Sequence, residues 1–421
     1  MYTREEALQY IQEQDVKFIK LFFTDIFGAI KSLSIQPSEL ERAFTTGICF
    51  DASAVKGFLG IAKSDLFVVP DPATLCVLPW RPQTGRVVRF FCDVRYIDGT
   101  PFEGDPRLLL KKQVQTAREQ GYEVSVGTEC EFYLFKLDAE GEPTRQPHDH
   151  AGYCDLAPRD RGENVRREIC LTLEQMGVHP EASHHESGPG QNEVDFRYSD
   201  PVTTADNLAT FKTVVKTVAD RYGLFASFMA KPLADKPGSG LHISISLTKD
   251  GRNLFASALS DEAQSFLAGI MHRAREITAF LNPYPNSYER FGSFEAPRYI
   301  SWGHENRSQL IRIPAATAEN ARFELRSPDP SCNQYLALYL ILAAGFEGVA
   351  QKRVLAPAKD LDLYNASAAE LRDLETLPLT QKEAVNLALK SDFVRSVLTE
   401  RTLVAFEEAE LSARKADFAA I

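Results

Sequence analysis

Paired cysteines are missing from this chain. It has seven cysteines, an odd number, and no two of them form a CxxC pair. That excludes a disulfide-stapled scaffold and a thiolate zinc site, and it points to reduced thiols in a cytoplasmic protein. An excess of basic residues is missing too. Lys and Arg total 47 against 58 Asp and Glu, for a net charge of −11. Proteins that track a nucleic-acid backbone carry a basic footprint, so no nucleic acid substrate is expected. Long apolar runs are absent. The longest, Leu336–Phe346, is too short to span a bilayer and reads as a buried helix. Met1–Gln14 is polar and holds no secretory-type apolar segment, so no membrane partner is expected. Gly238-Ser239-Gly240 lacks the Lys-Ser/Thr of a P-loop. No Ser-His-Asp or Cys-His set offers a covalent nucleophile. Repeats and low-complexity segments are also absent.

What is present is ordinary in bulk. Of 421 residues, 44% are hydrophobic and 25% charged, which suits a soluble protein of two domains. Gly104-Asp105-Pro106 is the strongest break, and it separates residues 1–103 from 104–421. Before it, the patterns predict a helix over Arg4–Glu13 and a hairpin of Phe18–Phe23 with Ile30–Ile35 around Gly28. They also predict a serine-capped helix over Ser38–Phe44 and a strand over Arg86–Val94. After it, an amphipathic helix runs over Arg107–Gln120, and strands and helices mix to about residue 330. Helices are expected at Asn333–Lys352, Gln381–Leu398 and Thr402–Ala420. The class is α+β: a small β-rich N-terminal domain and a large catalytic domain.

The chemistry lies in four segments: Val124–Phe135, His184–Phe196, Gly238–Leu247 and Arg322–Asp329. Residues i and i+2 of a strand share a face. Glu129 and Glu131 therefore point one way, while Val124, Val126, Cys130 and Phe132 point the other. His242, Ser244 and Ser246 share a second face, and Arg322, Glu324 and Arg326 a third. An isolated E-x-E is ordinarily the wet side of an edge strand. Here the apolar opposite face indicates a central strand, where unpaired carboxylates are costly without cations. Glu186 and Glu193 flank Gly188-Pro189-Gly190, a loop able to bring both acids together. Hard oxygen ligands with one imidazole favour Mg²⁺ or Mn²⁺ over zinc. His184 and His185 are expected to support the ligands rather than join them. Arg307 and Arg312 bracket an apolar strand, and guanidinium groups beside such acids read as clamps on phosphate or carboxylate. The set describes phosphoryl transfer by positioning and charge neutralisation, in an ATP-dependent transferase or ligase. It leaves the acceptor open.

The motifs GTECEFYLF, HHESGPGQNEVDF, NPYPNSYERF, NRSQLIRIP and RFELRSPDPSCNQYLAL resemble those of type I glutamine synthetases. FDASAVKGF and SDLFVVPDPAT extend the resemblance to nearly the whole chain. It implies a β-grasp N-terminal domain, a catalytic domain built as an antiparallel sheet funnel surrounded by helices, and homo-oligomeric hexameric rings, possibly stacked as dodecamers. It implies that L-glutamate is amidated by ammonium at the expense of ATP, through γ-glutamyl phosphate. One metal falls on Glu131, Glu186 and Glu193, and a second on Glu129, His242 and Glu324. Glu181, Ser244, Ser246, Arg312 and Arg322 match nucleotide positions. Gly238 and Arg290 match the glutamate site, and Tyr153 matches a tyrosine of the ammonium pocket. Arg307 and Arg326 match positions around the phosphoryl group in transit. Asp51 matches the acid that deprotonates ammonium, and Glu295 the flap glutamate.

Departures from the pattern are concentrated at the acceptor end and the ring contact. Ala54 and Pro237 stand where the family has a serine and an asparagine, the flap before Glu295 is shorter, and the C-terminal tail lacks the usual extension. A γ-glutamyl–amine ligase taking a larger amine, and a non-catalytic paralogue, are the alternative expectations.

Overall fold

The computed structural model describes residues 2–256 and 258–411. Two sheets organise them. The smaller has the strand order Ile30–Ile35, Val16–Thr24, Arg86–Arg95, Asp65–Pro70, Ile48–Asp51, with Cys76–Val77 also paired to Arg86–Arg95. The larger runs Trp302–His304, Ile311–Ile313, Phe323–Leu325, Leu241–Lys249, Tyr122–Leu137, Gln191–Ser199, Pro180–His185. Its pairs are antiparallel except Trp302–His304 with Ile311–Ile313.

Tyr122–Leu137 is the central strand, as its two-faced pattern requires. Val126, Cys130 and Phe132 are fully buried on one side. Phe132 meets Phe211 and Phe228 at 6.0 and 5.8 Å between ring centroids. Phe211 belongs to the Pro201–Arg221 helix, which packs on this strand beside Pro106–Glu119, and both of those helices pack against Gln334–Ala350. The last of these is buried from Gln334 to Phe346, so the longest apolar run is the core of the catalytic part. Among the described residues no helix is long and apolar enough to cross a membrane, and all seven cysteines are free.

The break at Gly104-Asp105-Pro106 is a tight joint. Asp105 caps the Pro106–Glu119 helix by accepting from the Arg107 amide at 2.9 Å, and it also accepts from Val94 N of the small sheet at 2.7 Å. Arg107, at the start of that helix, is 4% exposed. It donates to Asp93 at 2.7 Å, to Asp206 at 2.8 and 3.0 Å, and to Asp71 at 3.0 Å. Asp71 and Asp93 come with the small sheet and Asp206 with the Pro201–Arg221 helix, so one guanidinium ties both parts together.

Three sequence expectations need correction. The helix near Ser38 begins as a 3₁₀ turn, Pro37–Glu39, followed by Leu40–Thr45, and no serine caps it. Proline's fixed φ starts the turn one residue earlier. Gln381–Leu398 is two helices, Gln381–Lys390 and Asp392–Val397, because Ser391 Oγ accepts from Val394 N at 3.0 Å and starts a new one. The final helix is Glu400–Leu411, and residues 412–420 of the expected segment lie outside the described residues.

Candidate active site

Strand register assembles the site. Glu131 lies opposite Glu193, which lies opposite His184. Glu129 lies between Asp195 and His242 on its two neighbouring strands. Glu324 lies between Ser244 and Arg312. The acids, the imidazole and the arginine thus share one sheet face.

A cavity of about 740 Å³ opens on that face. Glu129, Glu131, Glu186, Glu193 and His242 line it, as do Gly238, Arg290, Tyr153, Glu295, Arg307 and Arg326. A second cavity of about 580 Å³ shares Glu129 and Asp195 with the first and is lined by Glu181, Ser244, Ser246 and Arg322. Glu324 forms part of the wall behind. It accepts from Arg312 Nη1 at 2.7 Å, is bonded to Arg326 Nη1, and lies 3.6 Å from His242 Nδ1. A larger cavity, about 920 Å³, lies at the joint between the two parts, where Arg107, Lys111, Asp71 and Asp206 are already paired with one another or with Asp93. Chemistry rather than volume selects the site.

Three groups of side chains at this cavity bring ligand atoms within 4.8 Å of one another: Glu129, His242 and Glu324; Glu131, Glu193 and His242; and His184, Glu186 and Glu193; a fourth, Asp149, Asp160 and His185, lies behind them. His184 Nε2 is 3.0 Å from Glu186 and 3.7 Å from Glu193, so it contacts the acids it is expected to support. His185 is a support. Its Nε2 meets Asp149 at 2.8 Å and its Nδ1 meets the Glu186 carbonyl at 2.6 Å, so its ring is committed inside the protein.

The acids divide electrostatically. Burial, followed by the charges of Glu131 and Asp195, pushes Glu193 far above the carboxylate range. Burial and Glu129 raise Asp195, and burial raises Glu131. On the other side, burial opposes ionisation of Glu324, but His242, Arg326 and Arg312 outweigh it and hold the carboxyl well below its usual value. Burial is also the largest single effect at Glu129, but the hydrogen bond and charge of His242, with Arg326, together lower its pKa. Asp195 Oδ1 and Arg326 Nε are buried without partners. Crowded, raised carboxylates fit divalent cations, and an unpartnered buried guanidinium N–H fits an anion. The donors are oxygens with imidazole, which suits a hard ion.

This arrangement predicts a pH dependence. A carboxyl with a raised folded pKa binds more protons folded than unfolded, so stability falls as pH rises through that interval. Glu193, Asp195 and Glu131 act this way, as does Asp105, which burial lifts to about 7. The groups held low, Glu324 and Glu129, lose their contribution only in stronger acid. Metal-free protein should therefore melt at a higher temperature at pH 5.5 than at pH 8. Saturating Mg²⁺ should flatten this slope except for the share due to Asp105. Equal slopes with and without Mg²⁺, by scanning calorimetry, would contradict the assignment of a cation to this cluster.

The flap is strained. Phe294 and Glu295 have φ of 49° and 65°, in the left-handed region. Tyr364 Oη donates to the Ala296 carbonyl at 3.0 Å, and Lys231 Nζ sits 4.6 Å from the Phe294 ring centre. Arg290 is buried, with Nη hydrogens committed to the carbonyls of Arg326, Ser327 and Pro328. Arg312 lines neither cavity but reaches the site through Glu324, whereas Asp51 lines neither and has its side-chain bonds elsewhere. Asp51 ends the exposed edge strand Ile48–Asp51, and its Oδ1 accepts from the Ser53 amide and hydroxyl at 2.9 and 2.6 Å. Those bonds hold its pKa below the usual value, so it stays ionised.

Sequence reasoning missed Gln191 and Asp195, both of which line the cavity. The signal existed, because Gln191, Glu193 and Asp195 alternate along one strand face.

Family models decide the affiliation. One described as the glutamine synthetase catalytic domain matches residues 103–417, and one described as the glutamine synthetase β-grasp domain matches residues 15–96. The chain belongs to the glutamine synthetase family. Its fold is the family's α+β arrangement with a β-grasp N-terminal part. It is 47% identical to a glutamine synthetase of Methanosarcina mazei, over 94% of this chain and 91% of that one. It is 44% identical to the glutamine synthetase of Thermus thermophilus, over 97% and 94%. Among solved structures, a GmaS/ADP complex aligns with a TM-score of 0.87 at 31% identity, covering 97% and 95%. The glutamine synthetase of Plasmodium falciparum has the same fold, with a TM-score of 0.86 at 23% identity over 99% and 98%. Glutamine synthetases depend on ATP and divalent metals, and the acids clustered here are of the type that holds such ions.

Proposed function

We propose that the protein is a glutamate–ammonia ligase that makes L-glutamine, ADP and phosphate from L-glutamate, ammonium and ATP. The observation that carries this is that two cavities share Glu129 and Asp195 in their walls, one lined by acids and arginines, the other by Ser244, Ser246, Arg322 and Glu181. Nucleotide in the second cavity would present its terminal phosphate to the acids and to Arg307 and Arg326 in the first. Glutamate would lie against Gly238 and Arg290. One Mg²⁺ or Mn²⁺ ion would be held by Glu131, Glu186 and Glu193, which fall in two groupings that share Glu193, and another by Glu129, His242 and Glu324, which form a single grouping. When bound, these ions neutralise phosphate charge. The curated relatives with 42–47% identity carry the name glutamine synthetase, which favours ammonium over a larger amine.

The γ-carboxylate oxygen of glutamate attacks the terminal phosphorus of ATP, releasing ADP and forming γ-glutamyl phosphate. Arg307 and Arg326 steady the charge in transit. Asp51, kept ionised by Ser53, holds ammonium and takes one of its protons. The freed ammonia attacks the γ-carboxyl carbon, phosphate leaves with the carbon–oxygen electron pair, and the nitrogen's surplus proton goes to the departing phosphate. Glu295 and the flap close the site against water.

On this reading residues 1–103 are the β-grasp domain and 104–421 the catalytic domain of a cytoplasmic homo-oligomer built as a hexameric ring. Asp51 is exposed and away from its own cavity, which supports a site completed by a neighbouring subunit. Asp51→Asn should depress glutamine formation about 100-fold, the scale of a lost acid–base group, and leave ATP affinity unchanged. Mixing it with a variant inactive at Glu131 should restore activity through hybrid interfaces. Verified mixed rings that regain nothing would contradict the shared site, and an equal loss of nucleotide affinity in Asp51→Asn would contradict its role at the acceptor.

A further inference from the structure

Gln191 touches three parts of the candidate site at once. It is 1% exposed. Its Nε2 donates to Glu131 Oε2 at 2.8 Å and to the Gly238 carbonyl at 3.1 Å. Its Oε1 accepts from Gly188 N at 2.9 Å and lies 3.4 Å from Tyr133 Oη. Two acceptors face the nitrogen and a backbone N–H faces the oxygen, so the network fixes which way the amide points. The flipped amide would set oxygen against a carboxylate.

The consequence for Glu131 is specific. Its Oε2 accepts from Gln191 and also from Gly240 N at 3.0 Å. Both donors fall on the same oxygen, which leaves Oε1 for a cation. The main chain of Gln191 contributes as well. Its carbonyl accepts from Glu186 N at 2.9 Å, and its amide donates to the Gly188 carbonyl at 3.0 Å. The turn that carries Glu186 is therefore closed on Gln191. Space is as tight as the bonding implies. A Cβ at Gly188 would lie 2.7 Å from Gln191 Oε1 and would overlap the Tyr133 hydroxyl. Tyr133 Oη donates to the Pro237 carbonyl at 2.6 Å, which holds the segment before Gly238 to the same strand.

We propose that Gln191 is a positioning residue that locks the Glu131 carboxylate, the Glu186 turn and the Gly238 carbonyl into one geometry, coupling cation binding to glutamate binding. The inference rests on the metal and glutamate assignments proposed above. Glutamine is the neutral side chain that offers two donors and two acceptors at this reach. Asparagine is one methylene shorter and cannot span from Gly188 to Glu131. Methionine keeps the length but has no amide. Partners behind metal ligands typically change metal affinity 10–100-fold when removed.

The test is Mn²⁺ titration of metal-free, full-length protein, with free ion read by electron paramagnetic resonance, on wild type, Gln191→Met and Gln191→Asn. Both variants should bind Mn²⁺ about 10–100-fold more weakly than wild type. The KM for glutamate should rise by a similar factor while the KM for ATP stays within about twofold, because Ser244, Ser246 and Arg322 do not touch Gln191. A merely structural residue would lower the melting temperature and leave the Mn²⁺ affinity alone. If Gln191→Met fails to fold, Gln191→Asn, which keeps the buried amide, decides. A folded variant with wild-type Mn²⁺ affinity overturns the role of Gln191. A wild-type protein that binds no Mn²⁺ overturns the metal assignment, and this inference with it.

Discussion

Glu131→Gln should abolish glutamine synthesis, by about 1,000-fold or more, while leaving metal-free protein as stable as wild type or more so. The two halves of this expectation have one cause. Glu131 lines one cavity with Glu186, Glu193 and Asp195, and burial together with the charge of Glu186 raises its pKa. Without a cation the extra negative charge is a burden on the fold, so a neutral amide of the same shape relieves it. With a cation the same charge is a ligand, and its loss removes an anionic oxygen from the phosphoryl-transfer site. Steady-state turnover and a melting curve in chelator measure both halves. Retained turnover at limiting Mg²⁺ would refute the assignment. A fall in the metal-free melting temperature would refute the electrostatic account.

Arg107→Met should cost about 3–5 kcal/mol of stability, the range for breaking a buried ion pair by removing one partner. Arg107 holds Asp71, Asp93 and Asp206 across the joint between the sheets. Tyr335 Oη adds a 2.6 Å bond to Asp206, and Lys111 reaches Asp93 at 2.9 Å. Lys111 compensates part of the loss at Asp93 and little at Asp206. Arg107→Lys keeps the charge without the planar fork and should fall between the two. The urea midpoint of each variant gives the order. Wild-type stability in Arg107→Met would mean the network is neutral to the fold.

How much of this was legible in the sequence depends on how far each interaction reaches along the chain. The Tyr122–Leu137 strand was legible because its period of two separates acids from core within one segment. Helix limits were legible where a cap was local, as at Arg4–Glu13. The turn at Pro37 and the restart at Ser391 hinge on single residues whose geometry overrides the helical pattern. Arg107 looked like an ordinary residue in the first turn of an amphipathic helix. Its burial comes from partners on the other sheet and on a helix 99 residues away in sequence. Within the site, alternation gave Glu129, Glu131, His242 and Glu324. The same alternation marks Gln191 and Asp195, but an amide carries no charge pattern until the register brings it to Glu131. The pairing of Asp149 with His185 spans 36 residues and has no local signal at all.

The central claim is that ammonium is the acceptor and γ-glutamyl phosphate the intermediate. One isotope measurement tests both. L-glutamate labelled with ¹⁸O in its γ-carboxylate is incubated with the protein, ATP, Mg²⁺ and either ammonium or an alkylamine. Products are then analysed by mass spectrometry. The account predicts glutamine and phosphate in equal amounts with ammonium, one ¹⁸O carried into each phosphate, and far slower reaction with the alkylamine. Phosphate without ¹⁸O, or a γ-glutamyl amide formed from the alkylamine and not from ammonium, would contradict it.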